Sequence, residues 1–381
     1  MKLIVLGAGR QGSTVAFDLL RNPAIEAVGL ADVDRERLEA VRKRLDDRRL
    51  ALHTLDVRST GDLVEQIGAY DACLAAVPGE YHNEIARAAI AARTHYCDLG
   101  AGPAMLAEQL QLDTAAFEAG VAIVPDCGLA PGLVTILAAH AIRRLDEITS
   151  VQIRVGTLPQ EPQPPLHYAR SDPLEHLILR YVERAIVIRD GVKVSIEPLT
   201  EVETIEFSEP YGTLEAFHTS GGLSTLPNTF AGRVRNMDYK TIRRPGHCAL
   251  MQPLARLGFF DTTPLRVGGT EVSRREFTTR VLEEFVRPGV PDVVLARVIV
   301  VGTKFGARRR IEYQLVDLAD AQAQHSALMR CTAFSASIVL QMLASGRAGR
   351  HGVVPQERWV NGEEFIAALR ERGLSIVEGQ S

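Results

Sequence analysis

Three glycines near the N-terminus are spaced as Gly-x-Gly-x-x-Gly, in Gly7-Ala8-Gly9-Arg10-Gln11-Gly12, and an acid, Asp32, follows 20 residues after the last. This set suits a ligand that carries phosphates. Gly7 permits a tight turn, Gly9 lets the backbone approach a pyrophosphate, and Gly12 lets a helix pack closely on a strand. The helix beginning around Arg10 and Gln11 offers unpaired N–H groups and the positive end of its dipole to the phosphates. Asp32 is placed to accept hydrogen bonds from ribose hydroxyls, and its charge repels a 2′-phosphate. The pattern points to NAD and disfavours NADP, although Arg35 and Arg37 stand where a phosphorylated ribose would find cations.

These residues need a frame. Short apolar runs of the kind that form buried parallel strands recur at 2–6, 27–31, 50–55, 70–77, 95–99 and 121–124. Helical patterns at 13–21, 60–67, 82–92 and 104–119 separate most of them. Strands alternating with helices predict an α/β fold, a Rossmann doubly wound parallel sheet over residues 1–126. Ligands bind outside the carboxyl ends of such strands. Asp32, Asp56, Val57, Val77, Pro78, Asp98 and Asp126 all fall at those ends, with Asp56 and Val57 where adenine commonly sits.

Beyond Asp126 the grammar changes. Residues 127–132 form a turn broken by glycine and proline, and 133–145 read as a helix. A strand is predicted over 149–156 and a helix over 174–185. β structure follows over 185–205 with a turn at Asp190-Gly191, then a helix over 277–285 and paired strands at 296–302 and 309–318. Residues 158–165 contain four prolines and predict an extended loop, a candidate lid. Residues 127–324 are therefore expected to form an α+β domain on an open sheet, binding substrate and supplying a dimer surface. Residues 325–381 are expected to be a helical segment that packs back on the first domain, with helices at 325–344 and 362–372.

Bulk properties narrow the function classes. A chain of 381 residues, 46% hydrophobic and 24% charged, has the balance of a folded protein with two or more domains. The formal charge of −4 provides no basic field for nucleic acid, and Arg308-Arg309-Arg310 reads as solvated loop charge. Five widely separated cysteines form no Cys-x-x-Cys pair, so neither a metal site nor a disulfide framework is expected, and a cytoplasmic setting fits. No leader peptide is expected before the first strand, and no apolar run reaches the ~18 residues that span a bilayer.

Several segments are similar to the saccharopine dehydrogenase family. The first is Pro125-Asp126-Cys127-Gly128-Leu129-Ala130-Pro131-Gly132, after the last predicted strand of the first domain. Others are Pro164-Pro165-Leu166, the run from Gly212 to Thr219, Lys240-Thr241-Ile242-Arg243 with Pro245-Gly246-His247, Gly258-Phe259-Phe260 and, loosely, Met329-Arg330-Cys331-Thr332. Two departures stand out. Arg244 replaces the family's tyrosine, and His218 stands where the family often has asparagine. Together they imply a second carboxylate on the substrate.

The resemblance implies oxidation of an amine carbon by a nicotinamide cofactor, most closely as in members that convert the lysine side-chain amine to the 6-semialdehyde. A small amino acid or amine is then the ligand, and a homodimer the expected assembly. Asp98, Asp126 and His218 are the candidates for proton transfer; the residues alone do not choose among them. Arg243 is a candidate for holding a carboxylate, with Thr219, Arg244 and His247 beside it. Cys97 and Cys127 read as packing residues. Two other readings stand: a reductase that joins an amine to a carbonyl compound, and a non-catalytic NAD sensor.

Overall fold

The structure is a computed structural model that describes residues 1–168, 174–346 and 350–381. From the N-terminus the elements are β1 (Lys2–Leu6), α1 (Arg10–Leu20), β2 (Ala27–Asp32), α2 (Arg35–Leu45), β3 (Leu50–Thr54), α3 (Thr60–Ile67), β4 (Ala72–Ala75), α4 (His82–Ala92), β5 (His95–Asp98), α5 (Pro103–Leu110), α6 (Asp113–Ala119), β6 (Ala122–Val124) and α7 (Leu133–Arg143). The six strands lie side by side in the order β6-β5-β4-β1-β2-β3, all parallel. This is the doubly wound Rossmann sheet that the sequence predicts.

The glycines act as their positions require. Gly7 has φ +104, and a Cβ there would lie 2.5 Å from the Ala76 carbonyl oxygen. A Cβ on Gly12 would lie 1.8 Å from the Gly7 carbonyl oxygen, so α1 can pack on β1 only with glycine at this position. The predicted helix over 104–119 is two helices, α5 and α6. The break leaves Asp113 at the start of α6, where its carboxylate accepts a hydrogen bond from Val353 N at 2.8 Å. Charged α2 escaped prediction because it buries only Leu38 and Val41.

The chain continues through β7 (Glu147–Pro159), α8 (Leu174–Val182), β8 (Ala185–Arg189), β9 (Val192–Ile196), β10 (Glu203–Glu206), β11 (Thr213–His218), α9 (Leu226–Thr229), β12 (Val234–Arg243), α10 (His247–Arg256), β13 (Pro264–Val267), β14 (Thr270–Ser273), α11 (Arg274–Phe285), β15 (Asp292–Lys304) and β16 (Ala307–Leu318). It ends with α12 (Ala327–Ala344), β17 (Gly352–Val353), α13 (Gln356–Trp359), α14 (Gly362–Glu371) and β18 (Ile376–Gln380). A second, mixed sheet runs β10-β11-β12-β7-β15-β16-β18, with β8 and β9 joined to β12. The α+β open sheet is thus as expected.

By compactness the chain divides into two units. The first comprises Met1–His140, Ser224–Leu226 and Met329–Leu374; the second comprises Ala141–Leu223, Pro227–Leu328 and Ser375–Ser381. The C-terminal segment, read from sequence as helical, also holds two strands. β17 adds a seventh parallel strand to the first sheet beside β6, and β18 pairs antiparallel with β16 in the second. α12 has 18 residues and the hydropathy of a membrane span by length and composition, unlike the expectation that no run reaches that length. Two thirds of it, 67%, is buried inside the protein, as in a core helix.

The proline-rich stretch differs from the expected lid. β7 runs on through Pro159, Gln160 N donates to Pro291 O at 2.9 Å, and Leu166 and Tyr168 are buried in a cluster with Leu177, Tyr181 and Phe217. Between β7 and Leu166, the prolines Pro162, Pro164 and Pro165 stay exposed, so buried side chains anchor the two ends of an exposed loop.

Candidate active site

The cofactor cradle lies at the carboxyl ends of β1 and β2. Asp32 accepts a hydrogen bond from Ala8 N at 2.7 Å through Oδ2 and from Asp34 N at 2.9 Å through Oδ1. One carboxylate thereby fixes the glycine turn to the end of β2. Nothing lies within 4 Å of a Cβ built on Gly9, so the approach to the turn is open. α1 starts at Arg10 without a side-chain cap, and the Gln11 side-chain oxygen is buried with no hydrogen-bond partner among the described residues. An open turn, an uncapped helix start and a buried acid together fit a dinucleotide. The other predicted contacts line the neighbouring strand ends. Val57 and Val77 are half-buried, Pro78 is exposed, and Asp56 is bound to Arg58. The Arg58 side chain holds the Asp56 carboxyl down at about 2.

Next to the cradle, the structure brings Asp98 and Asp126 together. Asp98 is buried and its oxygens are engaged. Oδ1 accepts from Gly100 N at 2.8 Å and Asp126 N at 2.9 Å, and Oδ2 accepts from Gln109 Nε2 at 3.0 Å. His82 Nδ1 stands 3.8 Å from Oδ2. Asp98 thus ties β5, α5 and the turn after β6, a structural duty beside the candidate role in proton transfer.

Asp126 is different. It is 4% exposed, adopts φ +62, and its Oδ2 accepts a hydrogen bond from the Ser224 hydroxyl. Burial, then the Asp98 charge, pushes its carboxyl up to about 7; the Ser224 hydroxyl works the other way, and Glu357 adds to the rise. A shift of this size means that ionising Asp126 costs about 4 kcal/mol more than in water, at about 1.4 kcal/mol per pKa unit. Glu357 is itself fully buried, and both its oxygens lie near the Thr225 hydroxyl, at 2.8 and 2.9 Å. Adjacent residues, Ser224 and Thr225, therefore bond to two buried carboxyls.

The second unit carries its own cluster. Arg243 ends β12, and His247 starts α10 four residues on. Arg243 Nε donates to the Tyr181 hydroxyl at 3.2 Å, and that hydroxyl lies 2.9 Å from His247 Nε2. His247 Nδ1 lies 2.8 Å from the Leu166 carbonyl, so Nδ1 carries the proton and Nε2 accepts from Tyr181. Burial, then the Arg243 charge, pushes the imidazole down to about 3, so it stays neutral. The Arg243 guanidinium packs 5.3 Å from the Tyr168 ring centroid and is only 4% exposed. Among the described residues no carboxylate pairs with it. Thr219 shares this sheet face, with its hydroxyl 2.6 Å from that of Thr241.

His218 does not join this group. Phe217 stacks on the His247 ring, and neighbouring residues of a strand point to opposite faces. His218 is fully buried on the other face. Its Nδ1 lies 3.1 Å from Tyr239 O, and its Nε2 lies 3.1 Å from Glu201 Oε2. Both ring nitrogens face acceptors, so the ring is a doubly bonded member of an ion network. That network joins Arg154 to Asp238 at 2.7 Å and to Glu203, Lys240 to Glu203 at 2.8 Å, and Arg189 to Glu201 at 2.9 Å. This geometry sets His218, a candidate for proton transfer, on the opposite sheet face from Arg243 and His247. Arg244 stands apart too. Its Nη2 reaches the carbonyls of Pro159 and Gln160 at 3.4 and 3.2 Å, and its buried Nε has no partner among the described residues.

Ser224 and Glu357 escape the sequence reading, and Tyr181 carries no role in it. None lies in a motif, and their signal is spatial. Burial, then contact with Cys97, drives the Cys127 thiol well above its usual range, and all five cysteines are buried and outside any disulfide. Among the described residues no three His, Cys, Asp or Glu side chains are grouped for a metal.

A Rossmann unit with an acid at the end of β2, followed by an α+β unit on an open sheet, defines a nicotinamide-dependent oxidoreductase of two units. Residues 3–124 match the saccharopine dehydrogenase NADP binding domain and residues 128–374 the saccharopine dehydrogenase C-terminal domain, and the chain belongs to the saccharopine dehydrogenase family. Among solved structures it is similar to the apo, histidine-tagged saccharopine dehydrogenase (L-Glu forming) of Saccharomyces cerevisiae, at 15% identity and TM-score 0.82, covering 100% of this chain and 99% of that one. That likeness is one of fold. A probable dehydrogenase from Thermotoga maritima (13% identity, TM-score 0.46, 97% and 93% covered) and an amine dehydrogenase from Mycobacterium smegmatis (11%, 0.46, 95% and 96%) are more distant.

NAD is the cofactor that the first unit is built for. Asp32→Ala should raise the Michaelis constant for NAD about tenfold and narrow the preference over NADP, since hydrogen bonds to a charged group are worth about 1.5–3 kcal/mol. Steady-state kinetics with each cofactor is the check. A parent chain that prefers NADP would overturn the assignment.

Proposed function

We propose that the chain oxidises the side-chain amine of an amino acid, in the manner of lysine 6-dehydrogenase. The observation that carries this reading is Arg243, a buried cation with no carboxylate partner among the described residues. Burying a charge without a partner is costly, and a ligand carboxylate offsets that cost. The guanidinium fork suits a carboxylate in bidentate geometry. The Arg243–Tyr181–His247 chain of hydrogen bonds orients it, and a neutral His247 adds no competing charge.

The first unit supplies the other requirements. NAD, when bound, would supply the hydride acceptor for the amine carbon, with the glycine turn holding its pyrophosphate and Asp32 its ribose. A free lysine ammonium has a pKa of about 10.4 and must lose its proton before the carbon can donate hydride. Asp126 is the proton acceptor in this proposal. With its carboxyl pushed up to about 7, it is a far better base for an ammonium than an ordinary carboxylate, yet it is still ionised just above neutrality. Water then hydrolyses the substrate imine to an aldehyde and ammonia.

Arg244 favours a second reading, the joining of an amine to a keto acid to give a secondary amine with further carboxylates. Its buried Nε, without a partner among the described residues, marks a second cation that an anion could meet. Both readings are tested by following reduced cofactor with purified protein, NAD and a panel of lysine, ornithine, 2-aminoadipate, saccharopine and diamines. Turnover of lysine is the expected result. Turnover of saccharopine alone would replace the first reading with the second, and silence across the panel with NAD bound would leave the chain as a sensor.

A further inference from the structure

We propose that Glu357 is a positioning residue for Asp126, brought to it by the C-terminal segment and acting through Thr225 and Ser224. The inference rests on the reading of Asp126 as the proton acceptor. β6 and β17 are parallel neighbours with Ile123 level with Val353, and Val354 N donates to Ile123 O at 2.9 Å. Three residues past that level the chain reaches Asp126 after one strand and Gln356 after the other, so α13 begins at the same carboxyl end of the sheet as Asp126. Pro355 has no N–H to continue the ladder, and its carbonyl accepts from Trp359 N at 3.0 Å, which closes α13 as a single turn.

The first two residues of α13 are fully buried, and both reach toward Asp126. Gln356 Nε2 donates to the Thr135 hydroxyl at 2.9 Å, and that hydroxyl donates to Gly132 O at 2.8 Å, at the end of the turn that Asp126 opens. Glu357 holds the Thr225 hydroxyl between its two oxygens, and the next residue back, Ser224, donates to Asp126 Oδ2. All of these residues belong to the first unit. Ser224 adopts φ +49, a left-handed backbone that a side chain disfavours, so its place must be held from outside. Packing alone does not call for an acid at 357. A buried carboxylate costs more than an amide or an apolar side chain of the same shape, and this one adds to the charge that Asp126 already meets from Asp98. The titratable groups around Asp126 are Asp98 of β5, the Cys97 and Cys127 thiols and Glu357 of α13, with His82 of α4 3.8 Å from Asp98; among the described residues no cation pairs with Asp126. Glu357 therefore acts on Asp126 in two opposed ways. Its charge favours the protonated carboxyl, and its hold on Thr225 keeps in place the Ser224 hydroxyl, which favours the ionised one.

Two substitutions in the full chain separate these effects, read as kcat/KM against pH. Glu357→Gln keeps the shape and an oxygen for the Thr225 hydroxyl but removes the charge, and should move the limb at about 7 to lower pH. Thr225→Val keeps the shape but removes the hydroxyl that Glu357 holds, so the Ser224 hydroxyl is no longer fixed on Asp126 and the limb should move to higher pH. A side chain that only packs would scale kcat/KM at every pH and leave the limb where it is. Thermal unfolding reads the same charge coupling without turnover. At about pH 8, Glu357→Gln should shift the melting temperature upward in the parent relative to its effect in the Asp126→Asn chain, and at about pH 4, where Asp126 is protonated, the two effects should be equal. If the parent shows no limb, or Asp126→Asn keeps it, the reading of Asp126 as proton acceptor fails, and the melting comparison alone decides for or against Glu357. A limb that Asp126→Asn removes but both Glu357→Gln and Thr225→Val leave in place, or equal melting effects in the two chains at about pH 8, would overturn the proposal.

Discussion

Asp126→Asn is expected to slow amine oxidation by about 10²–10⁴-fold, the usual worth of a positioned proton acceptor, while making the folded chain more stable above neutral pH. The two effects share one cause. The Asp126 carboxyl is buried beside the Asp98 charge and is pushed up from 3.8 to about 7. A raised carboxyl means that the folded chain binds this proton more tightly than the unfolded chain does. The contribution to stability is therefore fully present below about pH 4, declines as pH rises from about 4 to about 7, and is gone above that. At about pH 8 the folded chain holds an ionised carboxylate at a cost of up to about 4 kcal/mol. Asparagine keeps the shape and a hydrogen-bonding partner for Ser224, but carries no charge.

Thermal unfolding of the parent and the variant at about pH 4 and about pH 8 checks this directly. The variant should melt higher only at the upper pH. In parallel, kcat/KM of the parent should rise with pH through an apparent pKa of about 7, and the variant should lose that limb. Equal stability differences at both pH values, or an unchanged limb in the variant, would remove Asp126 as the proton acceptor. A gain in stability at the cost of activity is expected where a charge is buried for function.

The first unit was legible because most of its strands are apolar runs and its turn rests on Gly7 and Gly12, where a Cβ would meet backbone. β17 was not, since the two residues Gly352 and Val353 offer no periodicity to read. The second unit was harder for a physical reason. β12 holds Asp238, Lys240 and Arg243 with its last seven residues all buried, and a sequence reading places such charges on the surface. They are tolerated inside because Arg154, Glu203 and Arg189 meet the first two. The same network bears on His218, whose imidazole suits proton transfer by type while Glu201 and Tyr239 occupy both nitrogens. Arg243 was found from a resemblance, yet the feature that makes it notable, a buried charge that no carboxylate pairs with among the described residues, exists only in three dimensions. Tyr181, which links it to His247, lies about sixty residues away in the chain and gave no spacing to read.

The Arg243→Met substitution should reduce kcat/KM for an amino-acid substrate by about 10²–10³-fold, since losing one partner of a buried, hydrogen-bonded charge pair costs about 2–5 kcal/mol. Arg243→Lys should recover little, because lysine keeps the charge but not the planar fork that meets both carboxylate oxygens. The discriminating substrate is the diamine that lysine becomes without its carboxylate. It cannot use the guanidinium, so the parent should turn it over poorly and Arg243→Met should leave that rate unchanged. A structural role for Arg243 predicts the opposite pattern, in which both substrates lose activity together as the Tyr181–His247 chain slackens. If lysine falls to the level of the diamine while the diamine holds, Arg243 is the carboxylate receptor. If both fall alike, its charge serves the packing of Tyr168 and Tyr181, and the recognition of an amino acid must be sought elsewhere in the chain.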